Sequence, residues 1–446
     1  MTDQLELHRY NQAIGPLPLA PSTGSEMHAA IERLYPICRS ITGDGVRETL
    51  DLLSEIIPIT QHEVPSGTEV FDWTVPPEWN IRDAYVKDSS GRRVIDFQQH
   101  NLHVVNYSEP VHATMTLDEL RPRLHTLPDF PDRIPHRTSY FNRTWGFCLR
   151  HDDYVALEDG EYEVVIDSSL DDTGHLTYGE LVIPGSSTDE ILFSTHVCHP
   201  SLCNDNLSGI ALATFLARSI LDRPERRLTY RFLFIPGTIG SITWLATQPQ
   251  SRTNILGGLV LSTSGDPGQL HYKRTRNGRH LIDAAVEHVL EASGDPYDVR
   301  DFEPYGYDER QYSSPGIGLE MGSLARTPYG QFDEYHTSAD DLDFVRPDAL
   351  ADTLAKHIAV VDVLEANQRY RNLSPNCEPQ LGPRGLYAAL GGRKGDNSAE
   401  VAVLWVLNFS DGTHSLFDIA RRSGLSFEAV RLAADALLEV DLLEEL

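Results

Sequence analysis

The chain has 446 residues, of which 40% are hydrophobic, which is enough for a large core and for two or three domains. Its formal net charge of −29 disfavours a nucleic-acid partner, because such binding depends on Lys and Arg that neutralise phosphates, and favours a cationic or amine-bearing substrate. The five cysteines are scattered, no apolar run reaches the roughly 18 residues of a membrane span, and the N-terminus lacks an apolar signal segment. We therefore expect a reduced, cytoplasmic protein without membrane contacts.

The first part of the chain contains two segments with different residue patterns. Residues 27–57 have helical spacing of apolar residues on either side of a Thr42–Gly45 turn. From 75 to 160 the sequence turns to short alternating runs such as DAYVKD and NLHVVNY, with many prolines. We interpret this part as a small β-rich domain inserted into a larger α/β unit.

From Tyr162 onward, predicted strands alternate with predicted helices. The strands include LTYGELVIPG, EILFSTHV, TYRFLFIPG and GGLVLST, and helices are predicted at 207–221, 279–293 and 347–370. Alternation of this kind indicates a mostly parallel sheet covered by helices on both faces. The predicted α/β domain comprises 1–74 and 161–375.

The C-terminal region, 376–446, forms a third predicted domain. VAVLWVLNF is compatible with a helix or a strand, and the rest is typical of a helix-turn-helix. The second helix, 426–439, carries Arg431 as its single basic residue, whereas a DNA-reading helix needs side chains that reach phosphates and bases. We therefore expect a packing or assembly module, in which self-association is an alternative, and not a nucleic-acid-binding domain.

The most informative stretch is ILFSTHVCHPSLCNDNLSGIALATFLARSIL, residues 191–221. An apolar strand leads into a polar loop with His196, His199 and Asp205, and a helix follows. Ligands bind at the carboxyl ends of such strands, and imidazole and carboxylate are zinc ligands. The alternative is a hydrogen-bonded loop histidine with Asp205 or Asn206 as an ordinary helix cap.

Three further loops carry candidate groups. In 329–345, His336 precedes three aspartates, which alternatively are charges favoured before a helix. In 302–316, Asp308 and Glu309 are surrounded by tyrosines, where desolvation would suit a general acid or base, although an ordinary surface loop is equally compatible. In 258–268, Asp266 follows a strand as a further ligand or as part of an Asp-Pro-Gly turn.

The motifs STHVCHPSLCNDNLSG, GYDERQY and YHTSADDLDFV, in this order, resemble the zinc-dependent exopeptidase superfamily of aminopeptidases, glutamate carboxypeptidases and glutaminyl cyclases. Over about 25–446 the chain is similar to a bacterial aminopeptidase-like family with an inserted β domain and a C-terminal winged helix, often associated with polysaccharide or secondary-metabolite biosynthesis. The resemblance implies a zinc-exopeptidase-like α/β fold. It also implies that His196, Asp205 and His336 bind zinc, with Asp205 bridging where two ions are present.

One departure from the superfamily bears on activity. Two consecutive glutamates, a general base and a zinc ligand, are expected after the next strand, but RFLFIPGTIGS has Gly237 and Thr238 there. Three explanations are open. Glu309 or Asp308 acts as the base, with His199 or Asp266 completing the metal shell; the site holds one zinc; or the site is inactive and serves binding.

Our leading hypothesis is a zinc hydrolase, with one or two ions, that cleaves an amide bond beside a free amine in a small peptide or aminoacylated metabolite. Glu309 would act as the base and Asp308 would hold the substrate ammonium. The alternative is a retired peptidase fold that works as a binding or scaffold protein. The residues expected to contact substrate are Tyr140, Asn142 and Trp145 of the overhanging insert, together with Tyr307 and Arg310.

Overall fold

The computed structural model describes residues 19–386 and 398–446, so the predicted first domain begins, at residues 1–18, outside the described part. The chain divides into two compact units. The first comprises the described residues up to Asp283 together with Gly294–Ile358, and the second comprises Ala284–Ser293 and the described part of Ala359–Leu446. Among the described residues, no helix combines the length and apolar character needed to cross a lipid bilayer.

An eight-stranded sheet forms the centre of the first unit, with the order β1-β10-β12-β11-β13-β16-β14-β15. Strands β12, β11, β13 and β16 run parallel in its middle, whereas β1 and β10 are antiparallel additions at one edge. The mostly parallel α/β sheet that the alternating pattern predicts is therefore confirmed. The strands are β1 (Thr60–Pro65), β10 (His175–Ile183), β11 (Glu190–His196), β12 (Thr229–Ile235), β13 (Ile255–Val260), β14 (Leu270–Lys273), β15 (Tyr297–Arg300) and β16 (Met321–Ala325).

Every residue of β11 and of β12 is buried. Parallel strands at the middle of an α/β sheet are covered on both faces, which is why these two read as nearly continuous apolar runs. The helices of this part of the chain are α1 (Thr23–Leu34), α2 (Asp44–Ser54), α3 (Leu117–Leu120), α4 (His151–Val155), α5 (Gly209–Leu221), α6 (Ile239–Thr247), α7 (Leu281–Ser293), α8 (Glu309–Tyr312) and α9 (Pro347–Ala366).

The β-rich segment forms three strands of a four-stranded sheet with the order β5-β4-β9-β6, whose strand β9 follows residue 160, and this sheet belongs to the first unit. The run NLHVVNY, which alternates like a strand, instead contains a short 3-10 helix at Asn101–His103. The predicted domain limits at 75 and 160 stay predictions. The strands of this segment are β2 (Glu69–Val70), β3 (Trp73–Thr74), β4 (Glu78–Lys87), β5 (Arg93–Asp96), β6 (Val111–Thr116), β7 (Leu124–His125), β8 (Phe147–Cys148) and β9 (Glu161–Asp171).

The second unit contains the predicted helix-turn-helix. Its helices are α10 (Ser398–Phe409), α11 (Leu416–Ser423) and α12 (Phe427–Leu438), and its three-stranded sheet has the order β18-β17-β19, with β17 (Arg369–Asn372), β18 (Asp411–Ser415) and β19 (Leu443–Glu445). The ambiguous run VAVLWVLNF is helical. Gly424 ends α11 with φ of 73°, a left-handed conformation that glycine adopts without steric cost.

Candidate metal centre

The loop after β11 places Asp205 at the carboxyl end of the central strands. His196 is the last residue of β11, and an irregular turn at Cys203–Ser208 leads from the loop into α5. The carboxylate of Asp340 accepts hydrogen bonds from the backbone N–H groups of Asn204 and Asp205, the latter at 2.9 Å. Both orphan amides of the turn are thereby satisfied, which holds Asp205 in a buried position.

Three imidazoles converge on the Asp205 carboxylate. His196 Nε2 lies 2.8 Å from Oδ1, and His336 Nε2 lies 3.0 Å from Oδ2. His199 Nε2 lies 3.9 Å from the same Oδ2 atom. The structure therefore brings together four of the residues that the sequence singled out, from two loops far apart in the chain.

The electrostatics of this cluster favour an ionised Asp205 carboxylate beside a neutral His199 imidazole. Burial by itself opposes ionisation of Asp205, but His199, His196 and His336 hold its pKa well below the usual range. Burial lowers the pKa of His199 well below its ordinary value, against the opposing effect of Asp205. Neutral imidazole with a carboxylate is the donor form that a divalent metal ion requires.

Two tyrosines clamp the histidine rings. Tyr307 stacks on His196 with ring centroids 3.9 Å apart, and Tyr335 stacks on His336 at 4.0 Å. Tyr307 also explains the glycine at position 237, because a Cβ there would overlap the Tyr307 ring. An aromatic ring therefore fills the space into which a side chain at the end of β12 would project.

Asp308 and Glu309 have different surroundings although they are adjacent. Glu309 forms an ion pair with Lys273 and accepts a hydrogen bond from Tyr307 N at 3.1 Å. Asp308 is buried, and its Oδ1 atom has no hydrogen-bond partner among the described residues. Burial raises the pKa of Asp308 to about 8, and the nearby hydroxyl of Ser241 opposes the shift only in part.

Asp266 does not enter the cluster. Its carboxylate accepts hydrogen bonds from Asn204 Nδ2 at 3.0 Å, from Thr327 Oγ1 at 2.6 Å and from Gly268 N at 2.8 Å. The structure thus corrects the expectation that Asp266 completes the metal shell. Its acceptor sites are occupied by groups that hold the 258–268 loop in place, as the turn alternative predicted.

The residues expected to contact substrate lie in three different settings. Tyr307 lies in the cluster, where it stacks on His196. Tyr140, in the insert, is largely exposed. Asn142 donates to Ser139 O, and Trp145 packs against Phe147 and the Arg123 guanidinium, all within the insert. Arg310 lies near enough to Asp308 to lower its pKa slightly.

One histidine of the site was missed by sequence reasoning. His136, in the inserted segment, has its ring centroid 5.2 Å from that of His199 and 5.1 Å from that of His336. It stands in the sequence PHRTSY without a motif, so the spatial relationship is the only signal that singles it out from the other histidines.

The donor set suits a zinc ion. Imidazole nitrogens and one carboxylate are typical zinc ligands, and the donor atoms of His196, His199 and Asp205 all lie within 4.8 Å of one another. His196 Nδ1 is buried without a hydrogen-bond partner among the described residues. An orphaned polar atom of this kind is costly to bury and is typical of a site that binds a ligand.

Comparisons with known proteins agree with this fold. A protein of Clostridium acetobutylicum, provisionally named a polysaccharide biosynthesis protein with aminopeptidase-like domain, is 55% identical over 422 residues, which cover 95% of this chain and 96% of that protein. A crystal structure of a provisionally assigned peptidase from Clostridium acetobutylicum has a TM-score of 0.87 at 54% identity, covering 95% of this chain and 97% of that one.

A more distant solved structure shares the fold over about three quarters of the chain. The zinc aminopeptidase BSAP of Bacillus subtilis has a TM-score of 0.55 at 12% identity, covering 76% of this chain and 94% of that one. Residues 368–445 match a model described as a winged helix-turn-helix. Residues 28–367 match the model of a domain of unknown function, DUF4910. The chain therefore belongs to the DUF4910 family and combines an aminopeptidase-like fold with a C-terminal winged helix-turn-helix.

Proposed function

We propose that this chain is a zinc-dependent hydrolase that cleaves an amide bond beside a free amine in a small peptide or aminoacylated metabolite. The observation that carries the proposal is the convergence of three imidazoles on the buried Asp205 carboxylate at the carboxyl end of the central strands. The site lies where ligands of open α/β sheets bind.

His196, His199, Asp205 and His336 are the residues that would hold the metal. When bound, zinc supplies a Lewis acid that polarises the scissile carbonyl and lowers the pKa of water. The protein's contribution is a ligand set around the buried Asp205 carboxylate, whose pKa the neighbouring histidines hold well below the usual range. Asp340 accepts hydrogen bonds from the backbone N–H groups of Asn204 and Asp205 and thereby keeps the Asp205 carboxylate oriented.

Of the two adjacent carboxyl groups, we assign the proton-transfer role to Asp308 in preference to Glu309. Glu309 forms an ion pair with Lys273 and accepts a hydrogen bond from Tyr307 N, so its role is to position the loop that carries Tyr307. Asp308 has a free Oδ1 atom and a pKa raised by burial to about 8, close to the operating pH of an efficient general base.

A cleft beside the cluster suits a small substrate. Its open volume, which includes solvent at its mouth, is about 580 Å³. Tyr329 forms part of its wall and stacks on Tyr307 with ring centroids 5.7 Å apart, which connects the cleft to the cluster. Arg300 and Glu303 also line the cleft, so charged ends of a substrate would find partners of either sign.

The test combines metal analysis with turnover. Purified full-length protein is assayed for bound metal and for release of free amino acid from a panel of aminoacyl amides and dipeptides, beside His196→Ala and Asp308→Asn. We expect stoichiometric zinc in the wild type, less zinc in the first variant, and normal zinc with lost turnover in the second. A wild type without metal after zinc loading would refute the proposal.

A second candidate function is ligand binding without turnover on a retired peptidase fold. Gly237 and Thr238 favour it, because neither residue has a side chain that can act as a base toward water. The Tyr307 ring also leaves no room for a larger side chain at position 237. This candidate predicts zinc-loaded protein that binds peptides in the cleft and releases no amino acid. Metal-dependent release of amino acid would eliminate it.

A further inference from the structure

The inserted β-rich segment reaches the histidine cluster through His136. Its ring centroid lies 5.2 Å from His199 and 5.1 Å from His336, and those two rings are themselves 5.2 Å apart. The three imidazoles therefore form a nearly equilateral triangle. Three imidazoles that bind one small ion would have about this spacing, because each ring turns one nitrogen toward the ion.

Backbone pairing fixes this position. His136 N donates to His336 O at 2.7 Å, and Ser338 N donates to Ile134 O at 2.9 Å. Ile134 N in turn donates to Ser338 Oγ at 3.0 Å. The segment before His136 thus lies antiparallel to the loop that carries His336, so main-chain hydrogen bonds hold the two residues side by side.

The imidazole of His136 is available as a ligand. Neither of its ring nitrogens has a hydrogen-bond partner among the residues that the structure describes, and the residue remains partly exposed. A neutral ring with a free nitrogen lone pair is the form that binds a metal ion.

The two oxygens of Asp205 divide the cluster into two sides. Oδ1 faces His196, whereas Oδ2 faces His336 at 3.0 Å and His199 at 3.9 Å. His136 adjoins the two histidines of the Oδ2 side. We propose, resting on the metal site of the proposed function, that one divalent zinc-like ion is bound on this side by His136, His199, His336 and Asp205, so that the insert supplies a metal ligand. His196 then contributes to the metal site by holding Oδ1 of Asp205, which is why its loss should still weaken zinc binding.

Charge supports a single ion. Asp205 supplies one negative charge, and the imidazoles supply none when they act as ligands. One divalent ion leaves a net charge of about +1, which a bound hydroxide or substrate oxygen offsets, whereas two ions would leave about +3 in a buried site, a large desolvation cost. Imidazole-rich sites select zinc, cobalt, nickel or copper over magnesium and calcium.

The experiment measures metal binding and not turnover. Metal-stripped full-length protein is titrated with Zn²⁺ against a chromophoric chelator, with His136→Ala beside His125→Ala, a half-buried histidine of the same insert on strand β7. We expect one ion per chain in the wild type and in the control. His136→Ala should bind at least about tenfold more weakly, since even the loss of an outer-shell partner costs that much.

A spectroscopic variant keeps the proposal testable if alanine disturbs the fold. In Co²⁺-loaded His136→Cys, a thiolate ligand adds a sulfur-to-cobalt charge-transfer band that the wild type and His125→Cys lack. Wild-type affinity in His136→Ala together with no new band in His136→Cys overturns the role of His136 alone. A wild type that binds two ions overturns the single-ion site, and a wild type that binds none overturns the proposed function as well.

Discussion

The ring of Tyr307 occupies the space into which a side chain at Gly237 would project. Tyr307 stacks on His196, and its hydroxyl lies 3.4 Å from Cys198 Sγ, so the ring packs between the end of β12 and the loop after β11. Gly237 and the tyrosine that occupies its side-chain space are therefore one coupled feature of the site.

This coupling predicts that Gly237→Ala is destabilising. The new methyl group would overlap the Tyr307 ring, and overpacking of this kind costs about 1–3 kcal/mol in the free energy of unfolding. Chemical denaturation measures it, with Gly160→Ala as the control because no atom lies within 4 Å of a Cβ there. Adding Tyr307→Ala to Gly237→Ala should relieve the overlap, so additive losses in the double variant would contradict the coupling.

The different surroundings of Asp308 and Glu309 predict different kinetic defects. Because the pKa of Asp308 is raised to about 8, its base form grows as pH rises, and the wild-type rate should increase through that pH. Asp308→Asn should lose about 10²–10⁴-fold in kcat together with this rise. Glu309→Gln should lower the rate and keep the pH dependence, since Glu309 acts through the Tyr307 loop. The reverse pattern in pH-rate profiles would assign the base to Glu309.

Asp340 should control metal affinity without touching the metal. Its carboxylate accepts hydrogen bonds from the backbone N–H groups of Asn204 and Asp205. A side-chain amide at this position would point its own N–H donor at one of these two backbone donors, and that hydrogen bond would be lost. Asp340→Asn should weaken zinc binding about 10–100-fold, the usual effect of losing an outer-shell partner. Zinc titration of the neighbouring Asp341→Asn is the control. Equal affinities in the two variants would show that the turn holds Asp205 without Asp340.

Stability below pH 6.5 should depend on His357. This buried histidine in α9 bonds Thr353 O through Nδ1 and has an unpartnered Nε2, and burial lowers its pKa to about 4. Between that value and an unfolded pKa of about 6.5, the unfolded chain binds more protons, so acidification destabilises the fold by about 1.4 kcal/mol per pH unit. In His357→Phe this contribution is absent, and the stability difference from wild type should change by about 3 kcal/mol between pH 6.5 and 4. A difference that stays constant over this range would refute the assignment.

The helix-turn-helix is expected not to bind DNA. Arg431, the basic residue of α12, donates to Glu428 at 2.9 Å and to Asp435 at 2.8 Å, so its charge is offset by its own helix. Fluorescence anisotropy of labelled duplex DNA with the full chain should show no binding below about 10⁻⁴ M at physiological salt, the weak end of non-specific affinity. Tighter binding that weakens steeply with added salt would contradict this expectation.

Local pattern was enough to predict most of the α/β architecture. The apolar runs of β11 and β12 are buried on both faces, and such strands are visible in sequence because both of their faces must be apolar. The pattern was less informative in the insert, where NLHVVNY contains a short 3-10 helix, because three or four alternating residues do not distinguish a strand from a turn.

The sequence by itself determined the strand-loop-helix that presents His196, His199 and Asp205, because these residues are close in the chain and flanked by clear apolar periodicity. Only the tertiary structure decided which distant groups join them. Pairing between the inserted segment and the 336–338 loop brings His136 into the cluster, and hydrogen bonds with Thr327 hold Asp266 outside it. Such choices depend on long-range backbone pairing and on competition for hydrogen bonds, neither of which leaves a periodic trace in the sequence.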